Sequence, residues 1–527
     1  MKILLADAVA PECGQILKDA GLSVDNRPGL PIDEKMEAVS DAVGIVVRSA
    51  TTVDASMMDA APRLRVIGRA GSGVDNIDIE AATERGILVM NAPGENTLSA
   101  AEHAVSLLLS LCRNIPAADA RMKSGAWSKK GLMGVELVDK TIGVIGLGRI
   151  GQAVARRMQG CGMKVLGYDP FLPKDVAESL GIELLELDEI WPRIDFLTLH
   201  TPLTERTHHL INAEVLAICK PGMRLVNAAR GGLVDETAML ASLDAGHLAG
   251  AALDVYEQEP LPADSPLRSH PKLILTPHLG ASTNEAQEKV AVRIAEQMSA
   301  YLKDGAVRNA VNSFSVDGPT AIKLEPWLRL ATSLGRLHAN ILDGPISKIE
   351  IECAGDRLDL PMPAIKSAVL YGFLEVLLSR NINLVNAVSV AHENGYSIAE
   401  VQGTDTVGFA GLLKVSLQGN GHKSVIAGSV IGHDKPKLVQ VDRFYLETKL
   451  LGSMLFVRNL DQPGRLAAIT TEIAKHGINV ANLALGRNAD LEKAFNAIQL
   501  DQAASPELRQ ALLALDGVEW ACAVDFE

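Results

Sequence analysis

The sequence predicts an α/β protein with two doubly wound parallel-sheet units, followed by an α+β unit and a ferredoxin-like βαββαβ unit. Three observations lead there. Short β-rich runs alternate with amphipathic stretches through the first half, the rhythm of parallel strands joined by covering helices. That rhythm starts twice, at "KILLADA" and again at "KTIGVIGLGRIG". From about residue 315 it gives way to a mixed pattern that ends in a compact strand and helix series. A chain of 527 residues also exceeds one core, and at about 150 residues per domain it holds three or four units.

In chain order, "KILLADA", "VGIVVRS", "LRVIGRA" and "GILVMNAP" are the strands of the first unit. A helix follows, announced by Ser99 and Glu102 at capping-box spacing, with Val105, Leu108, Leu109 and Cys112 on one face. Pro116 is expected to end or kink it. "TIGVI", "MKVLGYD", "DFLTLH", "MRLVNAAR" and "GAALDVY" are the strands of the second unit, and a long helix over roughly 283 to 304 leads the chain out. Two such crossings make a hinge between a lobe of residues 1–97 completed by 284–310 and a lobe of residues 98–283.

Residues 315–448 form the α+β unit: a helix at "PWLRLATSLGRLHANIL", then "KIEIECAG", "GLLKVSLQG", "KSVIAGSVIG" and "KLVQVDRFYLET". Lys437, Arg443 and Lys449 make its last strands basic, which reads first as a solvated sheet face and second as a site for an anionic ligand. Residues 452–527 form the last unit. "MLFVRN" leads to a helix from Pro463 to Lys475 closed by Gly477, then come "INVANLALG", "AFNAIQL", a helix opened by Ser505 and Pro506, and "VEWACAV".

Composition narrows the function. Hydrophobic residues make up 47%, yet no run approaches the roughly 18 apolar residues of a membrane span. "MKILLADA" reaches Asp7 too soon for a secretory leader, so a cytoplasmic chain is expected. Fifty basic against 64 acidic side chains leave a net charge of -14, which disfavours nucleic acid and anionic lipid as partners. Cys13, Cys112, Cys161, Cys219, Cys353 and Cys522 stand singly, without metal-ligand spacing, and are expected to be buried, reduced and metal-free.

"VIGLGRIG" places Gly146, Gly148 and Gly151 in G-x-G-x-x-G spacing between a strand and a helix. Such glycines allow a tight turn, close approach to a pyrophosphate, and close helix–strand packing, while the helix N-terminus offers free N–H groups to the anion. The next strand ends in Asp169, eighteen residues past Gly151, where a carboxylate accepts ribose hydroxyls and repels a 2′-phosphate. The unit is therefore Rossmann-like, and its expected cofactor is NAD.

Three side chains sit at successive strand ends of that same unit, where open α/β sheets bind ligands. Arg230 closes "MRLVNAAR", and its planar fork suits a carboxylate. Glu259 precedes Pro260, which favours an extended backbone, with Glu257 as its competitor two residues earlier. His278 lies in "TPHLGAST". Singly, each is more often structural. Together beside a nicotinamide they are the equipment to oxidise a 2-hydroxy acid: Arg230 holds the carboxylate, His278 takes the hydroxyl proton, and Glu259 steadies the imidazolium. Arg48 and Arg69 each follow an apolar strand of the first lobe and can reach the cleft from the other side, as a phosphate would require. Asn96, before the linking helix, is a further substrate candidate.

"GLGRIG" with "YDP", "NAARGGLVDE", "LDVYEQEP" and "TPHLGAST", in that order, closely resemble the D-isomer-specific 2-hydroxyacid dehydrogenases over about residues 1–310. Within that family "VVRSATTVD", "GRAGSGVDNID" and "NAPGENTLSAAEHA" resemble the branch acting on 3-phosphoglycerate, and the C-terminal additions resemble its long form, with an intervening domain and an ACT domain. The resemblance implies NAD-dependent oxidation of 3-phospho-D-glycerate to 3-phosphohydroxypyruvate, the first step towards L-serine. It implies catalytic roles for Arg230, Glu259 and His278, and places Ser72, Arg149, Ile150, Asp169, Thr201, Ala228, Ala229, Asp254 and Gly280 around NAD. In the ACT-like unit, "NLDQPG" and "GINVANL" supply Asp461 and Asn479 as contacts for a small polar effector, L-serine.

Two other functions remain open at this point. One is a dehydrogenase for an unphosphorylated acid such as glycerate, against which Arg48 and Arg69 argue. The other is an NAD-sensing, corepressor-like binding protein on the same fold. Trp127, beside basic residues in the loop "RMKSGAWSKKGLMGVEL", is expected to bury itself in a partner subunit, giving a dimer, or a tetramer if the terminal units also pair.

Overall fold

The computed structural model describes residues 1–316, 318–342, 344–355, 360–419, 422–432 and 434–526. Its central strands are the continuous Val, Ile and Leu runs, because a parallel strand is covered on both faces. Gly44–Val47 and Phe196–Leu199 are buried at every position.

The first sheet contains β1 (Lys2–Leu5), β2 (Ser23–Asn26), β3 (Gly44–Val47), β4 (Val66–Arg69) and β5 (Leu88–Asn91), parallel and in the order β2-β1-β3-β4-β5. The second contains β6 (Thr141–Ile145), β7 (Lys164–Tyr168), β8 (Glu183–Leu184), β9 (Phe196–Leu199), β10 (Met223–Asn227), β11 (Leu248–Leu253) and β12 (Leu273–Leu275). Its order is β12-β11-β10-β9-β6-β7-β8, again parallel, so the winding direction switches at β6.

The linking helix Thr97–Arg113 leaves the first sheet and packs on the second unit, against the helix Arg149–Gly160. Its start differs from the expected capping box. Asn96 occupies the cap position, the Ser99 hydroxyl donates to Gly280 O, and Glu102 pairs with Arg157. Its buried face runs through Ala101, Ala104, Leu108, Leu111 and Cys112, while Leu109 is exposed; three-carbon alanines carry too weak a signal to reveal that stripe. Asn114, left-handed at φ 53°, ends the helix, and Pro116 lies in the first turn of the next, Ile115–Lys123. The return helix Asn284–Asp304 packs back against the helix Pro11–Asp19 and strands β4 and β5.

The third sheet contains β13 (Lys348–Ala354), β14 (Ser397–Gly403), β15 (Leu412–Gly419), β16 (His422–Ile431), β17 (Lys435–Val441) and β18 (Phe444–Thr448), ordered β14-β13-β15-β16-β17-β18. Only β13 and β14 pair in parallel. "KLVQVDRFYLET" is thus a hairpin, turned at Asp442 with φ 51°. Lys437 and Lys449 line a cleft of about 600 Å³ with Arg329 and Arg336 rather than an open sheet face.

The fourth sheet, β19 (Gly452–Leu460), β20 (Val480–Asn488), β21 (Lys493–Leu500) and β22 (Val518–Phe526), is antiparallel in the order β20-β21-β19-β22. One face carries the helices Arg465–Lys475 and Pro506–Leu513 through Leu455, Val457, Ile498 and Leu512. The other, through Met454, Phe456, Phe495 and Phe526, joins Leu334, Leu337 and Phe373 of the third unit in one core. All six cysteines are free; Cys13, Cys112, Cys219 and Cys522 are buried as expected, whereas Cys161 and Cys353 are only half-buried. Among the described residues no helix is long and apolar enough to cross a membrane.

Candidate active site

The carboxyl ends of the second sheet face a cleft of about 290 Å³ closed on the other side by the first lobe. At the switch strand β6 the chain turns through Gly146, at φ 91°. A Cβ on Gly151 would stand 1.9 Å from Gly146 O, so the helix can approach the turn only as glycine. Around Gly148 nothing lies within 4 Å of an added Cβ. No side chain caps this helix, so its first N–H groups are free for an anion. Asp169, just past the end of β7, accepts from the N–H of Leu147 at 2.8 Å and of Phe171 at 2.9 Å. Arg149 reaches across to Pro93 O at 3.2 Å.

Deeper in the cleft, the Thr201 hydroxyl is buried with no hydrogen-bond partner among the described residues, as a site awaiting a polar ligand would leave it. Ile150, Ala228, Ala229 and Gly280 line the same space. Asp254 is fully buried. Burial would raise its carboxyl, but His103, the Thr276 hydroxyl and the Leu279 N–H outweigh that and hold it below the usual range. The turn, the free helix end, the acid after β7 and the orphaned hydroxyl together fit a dinucleotide such as NAD.

His278 follows β12 with a left-handed backbone, φ 55°, which is uncommon outside glycine and clusters at functional sites. Asp254 fixes that turn: its carbonyl accepts from the His278 N–H at 2.9 Å, and its carboxylate from the N–H groups of Leu279 and Gly280 at 2.7 and 2.9 Å. His278 Nδ1 lies 2.7 Å from Glu259 Oε2. That hydrogen bond raises the imidazole above its ordinary pKa, against the opposing effect of burial. Glu259 also accepts from the Tyr256 N–H at 3.1 Å. Glu257, its competitor, is engaged elsewhere, 3.0 Å from His209 Nε2 and accepting from the Glu236 N–H at 3.1 Å.

Arg230 stands past the end of β10, with Nε 3.3 Å from Asp75 of the first lobe and its own carbonyl accepting from Asn227 at 2.7 Å. Arg69 lines the same cleft, and its buried Nε has no partner among the described residues. Burial and the nearby guanidinium groups of Arg230 and Arg48 lower its pKa, the signature of three cations sharing one space. Arg48 is positioned from behind: its N–H donates to the buried Asp7 at 2.6 Å, and Asn76 donates to its carbonyl at 2.7 Å. Ser72 donates to Asn96 Oδ1 at 2.7 Å.

The fold therefore gathers Arg48, Arg69, Ser72, Asn96, Ile150, Thr201, Ala228, Ala229, Arg230, Asp254, His278 and Gly280 around one cleft, with Glu259 behind His278. Asp461 and Asn479 lie in the fourth unit, where each has a partner: Arg487 donates to Asp461 at 2.7 Å and Asn479 donates to Asp501 at 2.8 Å. Sequence reasoning missed Asp75 and His200, which also line the cleft. His200 is kept neutral by burial, which lowers its pKa to about 4, and Nε2 lies 3.0 Å from the Thr198 hydroxyl. The signals for them were the place of Asp75 within "GRAGSGVDNID" and of His200 beside Thr201, just past β9.

Residues 105–280 match the model of the D-isomer specific 2-hydroxyacid dehydrogenase NAD binding domain. Residues 323–442 match the D-3-phosphoglycerate dehydrogenase intervening domain, and 453–517 the ACT domain. D-3-phosphoglycerate dehydrogenase of Methanocaldococcus jannaschii is 38% identical, with 98% of each chain covered. The chain belongs to the D-3-phosphoglycerate dehydrogenase family. That of Archaeoglobus fulgidus is 40% identical over 98% of each chain, and that of Homo sapiens 43% over 80% of each. Among solved structures, a Thermus thermophilus protein superposes with a TM-score of 0.55 at 38% identity, covering 59% of this chain and 100% of its own. A Staphylococcus aureus NAD-dependent formate dehydrogenase in complex with NAD gives 0.54 at 30% identity, with 60% and 100% covered.

Proposed function

We propose that this cleft oxidises 3-phospho-D-glycerate to 3-phosphohydroxypyruvate, the first step of the phosphorylated route to L-serine, with Arg230, Glu259 and His278 as its catalytic residues. The observation that carries the reading is the 2.7 Å contact of His278 Nδ1 with Glu259, beside a cleft entered by three guanidinium groups. Bound NAD supplies the acceptor for the hydride that leaves carbon 2. Its ribose is read by Asp169 and its pyrophosphate by the turn from Gly146 to Gly151. His278 Nε2 takes the proton from the substrate hydroxyl, since Nδ1 faces Glu259. Glu259 stabilises the imidazolium so formed. Arg230 takes the carboxylate with its fork, exchanging Asp75 for substrate.

Arg48 and Arg69 are then left for the phosphate, which favours the phosphorylated substrate over glycerate. Asn96 is our further substrate contact, and Ser72, which donates to it, stands among the residues around NAD. The unit boundaries we assign are 1–97 with 284–310, 98–283, 315–448 and 452–527. Trp127 and Met133, 83% and 90% exposed, favour a homodimer through the second unit, extended to a tetramer through the fourth. Asp461 and Asn479 are our candidates for contacts to L-serine as effector.

One experiment tests the reading: NADH formation by enzyme of mass fixed by sedimentation, with and without L-serine. A phosphate held by charge-assisted bonds worth about 3 kcal/mol makes kcat/KM for 3-phosphoglycerate about 100-fold above that for D-glycerate. NADP should serve poorly. Equal rates on the two acids would transfer the assignment to the unphosphorylated substrate, and no turnover at all to a nucleotide-sensing protein. A monomeric mass removes the dimer, and a rate indifferent to L-serine removes the effector.

A further inference from the structure

The chain passes between its two lobes twice, and the passages meet at one point. The first runs from β5 through Asn96 into the linking helix, and the second from the His278 turn into the return helix, which Thr283 caps. Ser99, in the first turn of the linking helix and almost fully buried, donates to Gly280 O at 2.8 Å. One helical turn later on the same face, His103 Nε2 lies 3.1 Å from Asp254 Oδ1 and 3.2 Å from the Thr276 hydroxyl. A carboxylate can only accept, so Nε2 carries the proton and donates it to Asp254. Thr276 in turn donates to Asp254 at 2.6 Å.

Asp254 and the linking helix therefore hold the His278 turn on both sides, beside the Tyr256 hydroxyl, which donates to Thr276 O at 2.8 Å. Thr276 and Gly280 bracket His278 on either side, and Ser99 and His103 grip both. The return helix belongs to the first lobe by its packing, and its Gln287 donates to Ala281 O at 2.7 Å, so motion of that lobe pulls on the His278 turn, against which Asp254 and the two grips hold it. With them it stays in register with the second sheet, and so with whatever the second sheet binds.

We propose that Ser99 and His103 are positioning residues for the reaction: they fasten the His278 turn to the cofactor lobe, so that the imidazole keeps its place while the lobes move. Neither is a catalytic residue, since each acts through Gly280, Thr276 or Asp254. The proposal rests on the assignment of His278 as the base. Placement of a base tolerates little error, and a shift of about 1 Å costs on the order of 100-fold in rate.

The test uses the full-length enzyme with His103→Leu, His103→Gln and Ser99→Ala, assayed with 3-phosphoglycerate and with the same substrate deuterated at carbon 2, alongside thermal melts. His103→Leu removes the donor and is expected to lower kcat about 10- to 100-fold, while KM for the acid stays within about threefold. The deuterium effect on kcat rises as the chemical step becomes limiting. Glutamine offers an N–H at similar reach and restores most of the rate. Ser99→Ala moves in the same direction by less. The proposal is overturned if His103→Leu keeps wild-type kcat, if its loss matches a loss of folded protein at unchanged isotope effect, or if glutamine rescues no better than leucine. A wild-type enzyme that does not oxidise the acid would instead remove the functional reading beneath it.

Discussion

Glu259 sets how basic His278 is, and the sign of its effect can be followed through pH. The folded imidazole is raised above its ordinary value of about 6.5, chiefly by the hydrogen bond to Glu259. Oxidation needs the neutral ring, so wild-type kcat/KM for the hydroxy acid should fall as pH drops through a midpoint above about 6.5. Glu259→Gln keeps an acceptor but removes the charge, and leaves burial as the dominant influence. The midpoint should move down, and kcat at the plateau should fall by about 10- to 100-fold, because the imidazolium is no longer stabilised. A pH–rate profile of the variant with an unmoved acid limb would break the link between the two residues. The same shift bears on stability: a raised histidine contributes fully below its unfolded value of about 6.5, and the contribution is lost as pH rises through the folded value. The variant's melting temperature should therefore differ from wild type more at pH 5.5 than at pH 9. The residue types were legible in the sequence, since Arg230, Glu259 and His278 stand at strand ends of one sheet. Asp75 was not, because its pairing with Arg230 joins segments from different lobes. The choice of Glu259 over Glu257 rested on Pro260 alone, because the side chains that separate the two, His209 beside one and His278 beside the other, come from distant segments.

Strands read more clearly than helices, for a physical reason. Buried parallel strands are short, uninterrupted apolar runs, and the central strands of both parallel sheets declare themselves that way. The edge strands β2 ("SVDN") and β8 ("EL") do not, since one side of an edge strand faces no partner and tolerates polar residues. The helix Met362–Leu377 escaped because it is apolar on nearly all sides, which weakens the periodic signal. The glycine turn shows how an element can be read and then tested from its geometry. Gly151 and Gly148 belong to one motif but should respond differently to alanine. At Gly151 the new methyl meets a carbonyl at 1.9 Å, so helix and turn must separate, costing about 1–3 kcal/mol whether or not NAD is bound. At Gly148 the space is empty, so the apoenzyme should melt as wild type does. Its loss should appear only in NAD affinity, because the methyl occupies the approach to the pyrophosphate. Thermal melts with and without NAD separate the two, and a destabilised Gly148→Ala apoenzyme would contradict the assignment of that space.

The four units are not equally independent, and the way they share core decides what can be removed. The third and fourth meet through a continuous apolar cluster in which Phe456, Phe495 and Phe526 of the terminal sheet pack with Leu334, Leu337 and Phe373. Gly486 of β20 also lies against the backbone of Tyr445 in β18. The first and third meet more sparingly, where Asn383 donates to Gly86 O at 2.8 Å and Asn386 to Glu84 O at 3.3 Å, a mostly polar contact. This asymmetry was hidden in the sequence, where the terminal series reads as a self-contained βαββαβ unit whose second sheet face has no stated partner. It predicts opposite outcomes for two truncations. Ending the chain before β19 strips the cover from Leu334, Leu337 and Phe444, and an apolar face of that size drives association, so the product should be insoluble or bind hydrophobic dyes. Ending it after the return helix, near residue 313, keeps Asn312 bonded to Val89 and Ile87 and cuts the polar contact together with the packing of Val385 on the first core. The solved relatives are complete at that length, covering 59% of this chain with 100% of their own. That shorter product should therefore fold, bind NAD and retain turnover, with the response to L-serine lost. A soluble, monodisperse product of the first truncation, or an unfolded product of the second, would show that the units are joined in some other way than through this shared core.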